Sequence, residues 1–230
     1  GSKVGGKAEI AQTSFSSAEM ASFKIERKIL GQQFRTVAGV DEAGRGALFG
    51  PVVAAAVVLP PRWIKSPVKG WLKEVNDSKA LTPGKRRSLA GRILSEAAAV
   101  GLGLATSREI DLINIYWASL EAMKRAVENL ALKPDFLLVD GFENRRVEFG
   151  CPRLCLSGGD RKSISVAAAS IVAKVVRDEL MILFEDFFSG YHLAKNKGYG
   201  TKDHYQGLKE RGPSPLHRLT FNLAVKVDLS

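Results

Sequence analysis

Two adjacent carboxylates are the residues of this chain whose types and spacing first indicate chemistry. Asp41 and Glu42 stand in the segment AGVDEAGRGALFGPVVAAAVVL, residues 38–59, between apolar runs rich in valine. Because side chains alternate across a strand, we place Asp41 at a strand end and Glu42 on the turn that follows, from which both carboxylates can converge on one metal ion. A solvated pair in a loop is the simpler alternative.

The glycine–arginine–glycine step at 44–46 strengthens the metal interpretation. Glycine removes side-chain bulk and permits positive φ, so that a ligand can approach the backbone closely. Carboxylates beside a tight, basic turn indicate a hard divalent cation next to a phosphate.

Two further carboxylates follow patterns that place them near the first pair. Asp140 comes directly after the apolar run FLLV, and functional groups gather outside the carboxyl ends of strands in α/β sheets; a simple Asp-Gly turn is the alternative. Asp178 ends a helical stripe of small and polar residues that indicates close approach to a sheet end or a ligand; an ordinary solvated helix face is the alternative. The stripe consists of Ser163, Ala167, Ser170, Lys174 and Asp178.

These patterns together predict an oxygen-ligated metal centre. Four carboxylates can share a small volume in ionised form only if cations neutralise them, and all-oxygen ligation favours Mg²⁺ or Mn²⁺. Two such ions would activate water and stabilise the leaving oxygen in phosphodiester hydrolysis. The predicted catalytic and metal-binding residues are Asp41, Glu42, Asp140 and Asp178.

Charge and composition point to an intracellular protein with a polyanionic partner. The 230 residues carry a formal net charge of +10, which favours nucleic acid, although a basic protein with no such role is the simpler possibility. Cys151 and Cys155 are the only cysteines; two cannot complete a structural zinc site, so we interpret them as reduced core residues. No apolar run is long enough to span a bilayer, and we expect a cytoplasmic monomer.

The order of periodic and apolar segments predicts one α/β domain with a mixed five-stranded sheet flanked by helices. The predicted strands are 36–40, 52–59, 101–105, 136–139 and 153–156, and the predicted helices are 20–30, 83–98, 107–130, 163–188, 201–210 and 214–221. Thr82, Ser107 and Asp160 are the predicted helix caps.

The motifs now resemble one family over about residues 36–222. The chain is similar to bacterial ribonuclease HII in six segments that occur in the right order, and their number and length make the resemblance specific. They are GVDEAGRG at 39–46, NDSKALTP at 76–83, LLVDG at 137–141, GGDRKSISVAAASIVAKVVRD at 158–178, NKGYGTKDH at 196–204 and GPSPLHR at 212–218.

The resemblance implies a ribonuclease H-like fold with a small helical C-terminal portion. It implies hydrolysis of the RNA strand of RNA–DNA hybrids and cleavage 5′ of ribonucleotides embedded in duplex DNA, leaving 3′-hydroxyl and 5′-phosphate ends. On this basis we expect residues 19–190 to be a catalytic domain and 191–230 a substrate-binding extension. Residues 1–18 are rich in glycine, serine and lysine, so we expect a flexible segment there, and Gly1-Ser2 looks like the scar of a cleaved tag.

The resemblance also assigns roles residue by residue. The four carboxylates match the metal ligands, and Gly44, Arg45 and Gly46 match the turn that senses the ribose 2′-hydroxyl, the group that distinguishes RNA from DNA. Tyr199 matches the tyrosine that packs on the sugar after the ribonucleotide. The predicted substrate-binding set comprises Gly44, Arg45, Gly46, Lys79, Lys174, Lys197, Tyr199 and Lys202.

Other basic residues are expected to lie outside the catalytic and metal-binding set. Lys85, Arg86 and Arg87 are interpreted as a solvated helix face, and His204 and His217 as structural or phosphate-facing residues.

The chain departs from the family pattern in the turn and at its end. Ala47 and Phe49 stand where proline and a smaller residue are more usual, and Gly158 stands where lysine is common. The alternating apolar tail 219–229 is open to three interpretations: an extra strand, a partner-binding peptide, or packing back on its own domain.

Two other functions stay open on the sequence alone. One is ribonuclease HIII, which shares the fold superfamily and usually carries a separate N-terminal substrate-binding domain. The other is a catalytically silent nucleic-acid-binding module, which the clustered acids disfavour because they would weaken phosphate binding.

Basic residues around Tyr199 generate a binding prediction. Replacing Lys197 or Lys202 with alanine should weaken binding of hybrid and of DNA alike, because phosphate contacts carry no sequence information. The slope of log affinity against log salt should flatten by about one unit for each lost contact. A salt titration of binding measures this, and an unchanged slope in both variants would contradict it.

Overall fold

The strand order of the central sheet brings the two strands that carry predicted carboxylates side by side. In the computed structural model, which describes residues 20–141 and 146–225, five strands form one sheet in the order β3-β2-β1-β4-β5. β1 (Val37–Ala43) pairs antiparallel with β2 (Val52–Val58) and parallel with β4 (Phe136–Asp140). β3 (Ala99–Ala105) and β5 (Arg153–Leu156) form the edges. The predicted mixed five-stranded sheet is confirmed.

Helices cover both faces of this sheet. They are α1 (Lys24–Leu30), α2 (Pro61–Lys65), α3 (Pro83–Glu96), α4 (Ser107–Glu128), α5 (Ile164–Phe187), α6 (Leu193–Asn196) and α7 (Lys202–Arg211), with 3₁₀ turns at Gly70–Glu74 and Gly159–Arg161. Among the helices of the described residues, none combines the length and the apolar composition that crossing a bilayer requires.

Three helices pack against the two faces of the sheet. α5 and α3 form a core with one face of the sheet, which includes Ala55 and Val57. α4 forms a second core with the opposite face, which includes Val40 and Ala54. The alternation of side chains along each strand thus assigns every second residue of β1 to α5 and the others to α4.

The start of α5 is fixed by a buried carboxylate from the N-terminal helix. Glu26 of α1 is fully buried, and its Oε1 accepts hydrogen bonds from Ser163 Oγ at 2.7 Å and from the Ser165 backbone N–H at 3.0 Å. Burial raises the pKa of Glu26, with these hydrogen bonds opposing it. The helix that carries Lys174 and Asp178 is therefore anchored at its first turn.

Threonine and serine cap the main helices. Thr82 and Ser163 accept from backbone N–H groups three residues ahead, and Thr106 forms a capping box with Glu109. The predictions of Ser107 and Asp160 as caps are wrong, because Thr106 already supplies the side-chain oxygen and Asp160 lies in the 3₁₀ turn before α5.

Several predicted boundaries differ from the structure. The first strand continues through Asp41 and Glu42 to Ala43, since these residues pair with β2; Glu42 is therefore on the strand and not on the turn. The first helix begins only at Lys24. α4 is interrupted at Asn114, which has φ 63° and whose Oδ1 accepts from the N–H of Tyr116 and caps the second segment.

The predicted helix over 214–221 is wrong. This segment is irregular: His217 bridges to Phe49, and Asp111 of α4 accepts from the backbone N–H groups of Leu219 and Thr220. These contacts with other parts of the chain replace a local helical ladder.

The C-terminal segment packs back on the domain as far as the structure describes it. Leu223 is buried in a cluster with Phe49, Tyr191 and Leu208, and Val225 packs against the same cluster. The predicted flexible segment 1–18 and the end of the alternating tail lie outside the described residues. Phe49, the unusual residue of the turn, is fully buried and stacks edge-on against Phe188 at 5.4 Å.

Both cysteines carry free thiols and are half-buried, so the core interpretation holds only in part. Burial raises the pKa of the Cys151 thiol to about 11, which keeps it protonated near neutral pH.

Gly39 of β1 generates a stability prediction. A Cβ at this position would lie 2.1 Å from the backbone carbonyl carbon of Ser165 in α5, so Gly39→Ala must push the helix from the sheet. We expect a loss of about 1–3 kcal/mol or more of unfolding free energy. Gly91→Ala on α3 is the matched control, since its Cβ meets nothing within 4 Å and alanine favours a helix by roughly 1 kcal/mol. Urea unfolding compares the two, and equal stability of Gly39→Ala and the unmodified protein would contradict the close packing.

Candidate active site

The register between β1 and β4 places two carboxylates next to each other. Val40 pairs with Val139 in a parallel ladder, so Asp41 and Asp140 are the next residues on these neighbouring strands. Asp140 ends β4, and Asp41 lies two residues before the end of β1. Functional groups of α/β sheets collect at this edge.

Asp41 and Glu42 leave β1 on opposite faces. Asp41 pairs with Ala55, which belongs to the α5 side, and Glu42 pairs with Ala54, which belongs to the α4 side. Both nevertheless line the same cavity at the end of the sheet. The strand end, and not a turn, thus brings the adjacent carboxylates together.

The cavity has a volume of about 650 Å³ and combines acidic and basic side chains. Of the predicted residues, the structure brings together Asp41, Glu42, Gly44, Arg45, Gly46, Lys79, Asp140, Lys174 and Tyr199 in its wall. Asp178, Lys197 and Lys202 are outside the set that lines it.

Three carboxylates in this wall repel one another. Burial raises the pKa of Asp41 well above its usual value, the charges of Glu42 and Asp140 raise it further, and a hydrogen bond from Ser170 opposes them. Burial also raises the pKa of Glu42, which the Arg45 guanidinium at 3.3 Å counteracts. A bound cation would lower these pKa values and favour the ionised carboxylates.

Asp140 is held in a defined orientation. Its Oδ1 accepts a hydrogen bond of 2.6 Å from the backbone N–H of Gly159, in the 3₁₀ turn before α5. The second carboxylate oxygen is left for other partners.

Asp178 does not line the cavity, and its carboxylate is paired with two cations. Its Oδ1 accepts from Lys174 Nζ at 2.7 Å, and its Oδ2 lies 3.5 Å from Arg86 Nη1. The first part of the small-residue stripe on α5 is buried: Ser163, Ala167 and Ser170 are inaccessible to solvent or nearly so. The alternative of a solvated face is therefore wrong for this part of the helix.

The donor set fits a hard divalent cation in its chemistry. All candidate ligands are carboxylate oxygens, and Glu42 Oε2 is buried without a hydrogen-bond partner, as expected for an oxygen that a cation would satisfy. Within the residues that the structure describes, however, no three His, Cys, Asp or Glu side chains are gathered closely enough to hold an ion. The four-carboxylate ligand set therefore stays a prediction.

The two glycines of the turn face different surroundings. Gly44 has φ +98°, and a Cβ there would lie 1.9 Å from Arg177 Nε, whereas a Cβ at Gly46 would meet nothing within 4 Å. Gly44 is thus required by the protein itself. The backbone at Gly46 is open to a ligand.

Two buried arginines hold this turn from behind. Arg177 is fully buried and donates to the carbonyl oxygens of Pro51, Lys197 and Phe49 at 2.8–3.2 Å. Arg218, also fully buried, donates to the carbonyls of Gly50 and Arg45 at 3.0 and 2.8 Å.

These two side chains tie the turn to the segments that follow α5. Burial lowers the pKa of both guanidiniums, and repulsion from Arg177 adds to the effect at Arg218, whose pKa falls to about 9. Arg218 therefore remains charged near neutral pH. The turn and the Lys197 segment are therefore held together before any substrate binds.

Tyr199 presents its ring between the cavity and two cations. Lys174 Nζ and Arg177 Cζ each lie 5.3 Å from the ring centroid, within the range of cation–π attraction. The ring is thereby fixed above the middle of α5, beside the glycine turn.

The predicted lysines differ in their surroundings. Lys79 is exposed at the cavity wall, and Lys202 is exposed in the first turn of α7. Lys197 is partly buried and donates to the Ala194 carbonyl, and burial lowers its pKa.

Sequence reasoning missed several residues that build the site. The prediction that Arg86 is solvated is wrong: it is buried, and it donates to the carbonyls of Ser78 and Leu81. Ser78 and Ser170 are also buried and their hydroxyls lie 3.0 Å apart. Arg86 thus fixes the loop that carries Lys79, and the serine pair joins that loop to α5.

A mixed sheet with carboxylates at the ends of its adjacent central strands and a basic cavity rim defines the ribonuclease H-like class of α/β nucleases. A family model described as Ribonuclease HII matches residues 38–224, so the chain belongs to the ribonuclease HII family of endoribonucleases. Ribonuclease HII of Moorella thermoacetica is 47% identical over 201 residues, which cover 87% of this chain and 93% of that protein.

Solved structures agree with the fold. The ribonuclease H2 of Pyrococcus horikoshii OT3 superposes with a TM-score of 0.68 and 28% identity, over 83% of this chain and 95% of that one. Bst-RNase HIII in complex with Mn²⁺ superposes with a TM-score of 0.60 and 19% identity, over 82% and 67% respectively. The second likeness concerns the fold alone, and the family assignment decides between the HII and HIII interpretations.

Proposed function

We propose that this protein cleaves duplex DNA on the 5′ side of embedded ribonucleotides and the RNA strand of RNA–DNA hybrids, leaving 3′-hydroxyl and 5′-phosphate ends. The observation that carries the proposal is that Asp41, Glu42 and Asp140 line the same cavity as the open backbone of Gly46. Acids for phosphodiester hydrolysis thus lie beside a surface that can approach a ribose. Ribonucleotide removal during DNA replication and repair, by a cytoplasmic monomer, is the biological role we infer.

Two Mg²⁺ or Mn²⁺ ions are the proposed cofactors. Asp41, Glu42, Asp140 and Asp178 would hold them, and Mn²⁺ is the ion in the solved complex of the HIII relative. When bound, such ions activate water and stabilise the leaving oxygen of an in-line displacement. The hydrogen bond from Gly159 to Asp140 fixes one ligand in advance.

Asp178 would enter this set by exchanging partners. Its present partners in the free protein are the two cations Lys174 and Arg86. Release of Lys174 would leave its ammonium free to contact a phosphate at the cavity wall, where it already lies.

Recognition of the ribose is assigned to the glycine turn. The 2′-hydroxyl is both donor and acceptor, and the backbone of Gly44, Arg45 and Gly46 offers both kinds of group at the cavity wall. The clamp formed by Arg177 and Arg218 holds this backbone in place before substrate binds, so that little reorganisation is needed.

Tyr199 and the basic residues near it are proposed to position the nucleic-acid strand. The ring, held by Lys174 and Arg177, is suited to pack on the sugar that follows the ribonucleotide. Lys79, Lys197 and Lys202 are proposed to contact phosphates around the cavity, where they add affinity without sequence selectivity.

The metal-ligand assignment is tested by substitutions that remove charge and little volume. Asp41→Asn and Asp140→Asn should each reduce Mg²⁺-dependent cleavage of a duplex with one ribonucleotide by at least about a hundredfold, with the fold intact. Asp186→Asn, on an exposed part of α5, is the matched control and should cleave normally. Cleavage is followed on a labelled strand over a Mg²⁺ titration. Normal turnover by either Asp41→Asn or Asp140→Asn would contradict the assignment of these residues as metal ligands.

The recognition assignment is tested with two substrates. Tyr199→Ala should lose on the order of tenfold more activity on one embedded ribonucleotide than on an all-RNA strand, because a stacking contact contributes about 1–3 kcal/mol and the following sugar in a hybrid carries a 2′-hydroxyl. Gly46→Ala should harm both substrates, since its methyl group meets no protein atom within 4 Å and would obstruct only the ligand.

Both variants are compared by their cleavage rates at saturating and limiting substrate, with urea unfolding as the control for the fold. Equal losses of Tyr199→Ala on the two substrates would leave this residue as a general binding group. Full activity of Gly46→Ala would remove the turn from recognition.

A further inference from the structure

Two buried histidines outside the carboxylate site face each other directly. His204 in the first turn of α7 and His217 in the segment after α7 are inaccessible or nearly so. Their Nε2 atoms lie 3.0 Å apart, which is a hydrogen-bond distance. One of the two nitrogens must therefore carry the proton and the other must accept it.

The direction of this hydrogen bond is fixed independently at both ends. His204 Nδ1 lies 3.0 Å from the carbonyl oxygen of Tyr199, which can only accept, so His204 carries its proton on Nδ1. His217 Nδ1 accepts from the backbone N–H of Ser214 at 2.9 Å, so His217 carries its proton on Nε2. Both ends require the same arrangement, in which His217 donates to His204 and His204 donates to Tyr199.

The chain of hydrogen bonds joins two parts of the proposed recognition surface. At one end it holds the backbone of Tyr199, whose ring lines the cavity. At the other end His217 bridges to Phe49, a residue of the glycine turn region. The imidazole of His217 also stacks edge-on against Phe49 at 5.0 Å.

We propose that His204 and His217 are positioning residues that set Tyr199 relative to the glycine turn, and that they do so only while both imidazoles are neutral. The inference rests on the proposed function, because it concerns how Tyr199 meets its substrate.

Protonation of either ring breaks the chain. A second proton on His217 would point at the Ser214 N–H, and a second proton on His204 would point at the His217 Nε2–H. Protonation of His204 therefore places two donors against each other. Protonation of His217 removes the acceptor of the Ser214 N–H and leaves only the Ser214 hydroxyl, 2.9 Å from Nδ1, to accept the added proton.

Among the residues that the structure describes, none of the groups facing these rings carries a negative charge. The groups that face the pair are the rings of Phe49 and Tyr191, the Ser214 hydroxyl and the exposed His192. Burial raises the pKa of Tyr191, so it stays neutral, and His192 repels a proton on His204.

The pKa values therefore shift downward. Burial lowers the pKa of His204 from its usual value, and burial together with His204 lowers that of His217 to about 4. Both imidazoles bind protons less readily in the folded state than in the unfolded chain, where the pKa of histidine is about 6.5. Their contribution to the free energy of unfolding is therefore complete above about pH 6.5 and is lost as the pH falls toward about 4.

The first experiment needs no substrate. Long-range ¹H–¹⁵N NMR of the free protein at pH 7.5 should show His204 as the Nδ1–H tautomer and His217 as the Nε2–H tautomer, with His192 as the internal reference. Observation of either opposite tautomer, or of a charged ring at this pH, would overturn the proposal.

The second experiment is a double-mutant cycle with Tyr199→Ala. His204→Ala should reduce cleavage at a single embedded ribonucleotide about tenfold more than cleavage of a hybrid, and should have no such effect in the Tyr199→Ala background. His204→Asn should recover part of the loss, since its amide can donate to the Tyr199 carbonyl. His192→Asn is the surface control, because His192 is exposed and adopts φ 58°, which asparagine tolerates.

The outcomes separate this inference from the proposed function. Equal losses for His204→Ala in both backgrounds would reduce the pair to a structural role and overturn the proposal. A protein with the two expected tautomers that cleaves neither substrate would instead overturn the proposed function. The ratio of the two cleavage rates in the unmodified protein should also stay constant from pH 7 to pH 5, because the pKa of His217 is about 4 and the pKa of His204 is lowered too. A ratio that falls over this range in the unmodified protein but not in Tyr199→Ala would contradict the neutral pair.

Discussion

Two buried guanidinium groups are the constraint on which the arrangement of this site depends. Arg177 and Arg218 are inaccessible to solvent, and together they donate to five backbone carbonyls of the glycine turn region and the Lys197 segment. Such bonds form in a medium of low dielectric, where a carbonyl left without its donor costs about 1–3 kcal/mol. The arginines therefore oblige two segments that are distant in sequence to lie together at the end of the sheet.

The position of the substrate-facing backbone depends on this clamp. Gly44 must lack a side chain because Arg177 occupies that space, and the open face of Gly46 is thereby turned to the cavity. Tyr199 stacks on the same guanidinium that holds the turn. The acids, in contrast, are placed by strand register, and their mutual repulsion makes the cavity a place where cations would be favoured. Rigid placement of both parts before binding is what catalysis by pre-organised groups requires.

The sequence predicts the parts of this structure that follow from local periodicity and from motif matches. The five strands, the long helix with its small-residue stripe, and the position of Asp140 after an apolar run are of this kind. Arg86 was misjudged because its neighbours Lys85 and Arg87 are exposed and charged, and nothing local indicates that carbonyls of the loop 78–81 will satisfy it. The helix expected over 214–221 failed because long-range contacts to Asp111 and Phe49 outweigh local preference. The tautomers of the histidine pair likewise depend on atoms that only the fold brings together.

Amide hydrogen exchange in the free protein tests most directly whether the buried arginines pre-assemble the site. The N–H groups of Leu48 and Gly50 donate to the carbonyls of Gly198 and Leu216 at 2.8 Å, so they should be protected without substrate or metal. In Arg177→Lys the protection factors of these two amides should fall by about tenfold or more. The protection factor of the Val57 amide in the central sheet should stay unchanged. Exchange of Leu48 and Gly50 at the rate of exposed amides in the unmodified protein, or unchanged protection in Arg177→Lys, would contradict the account.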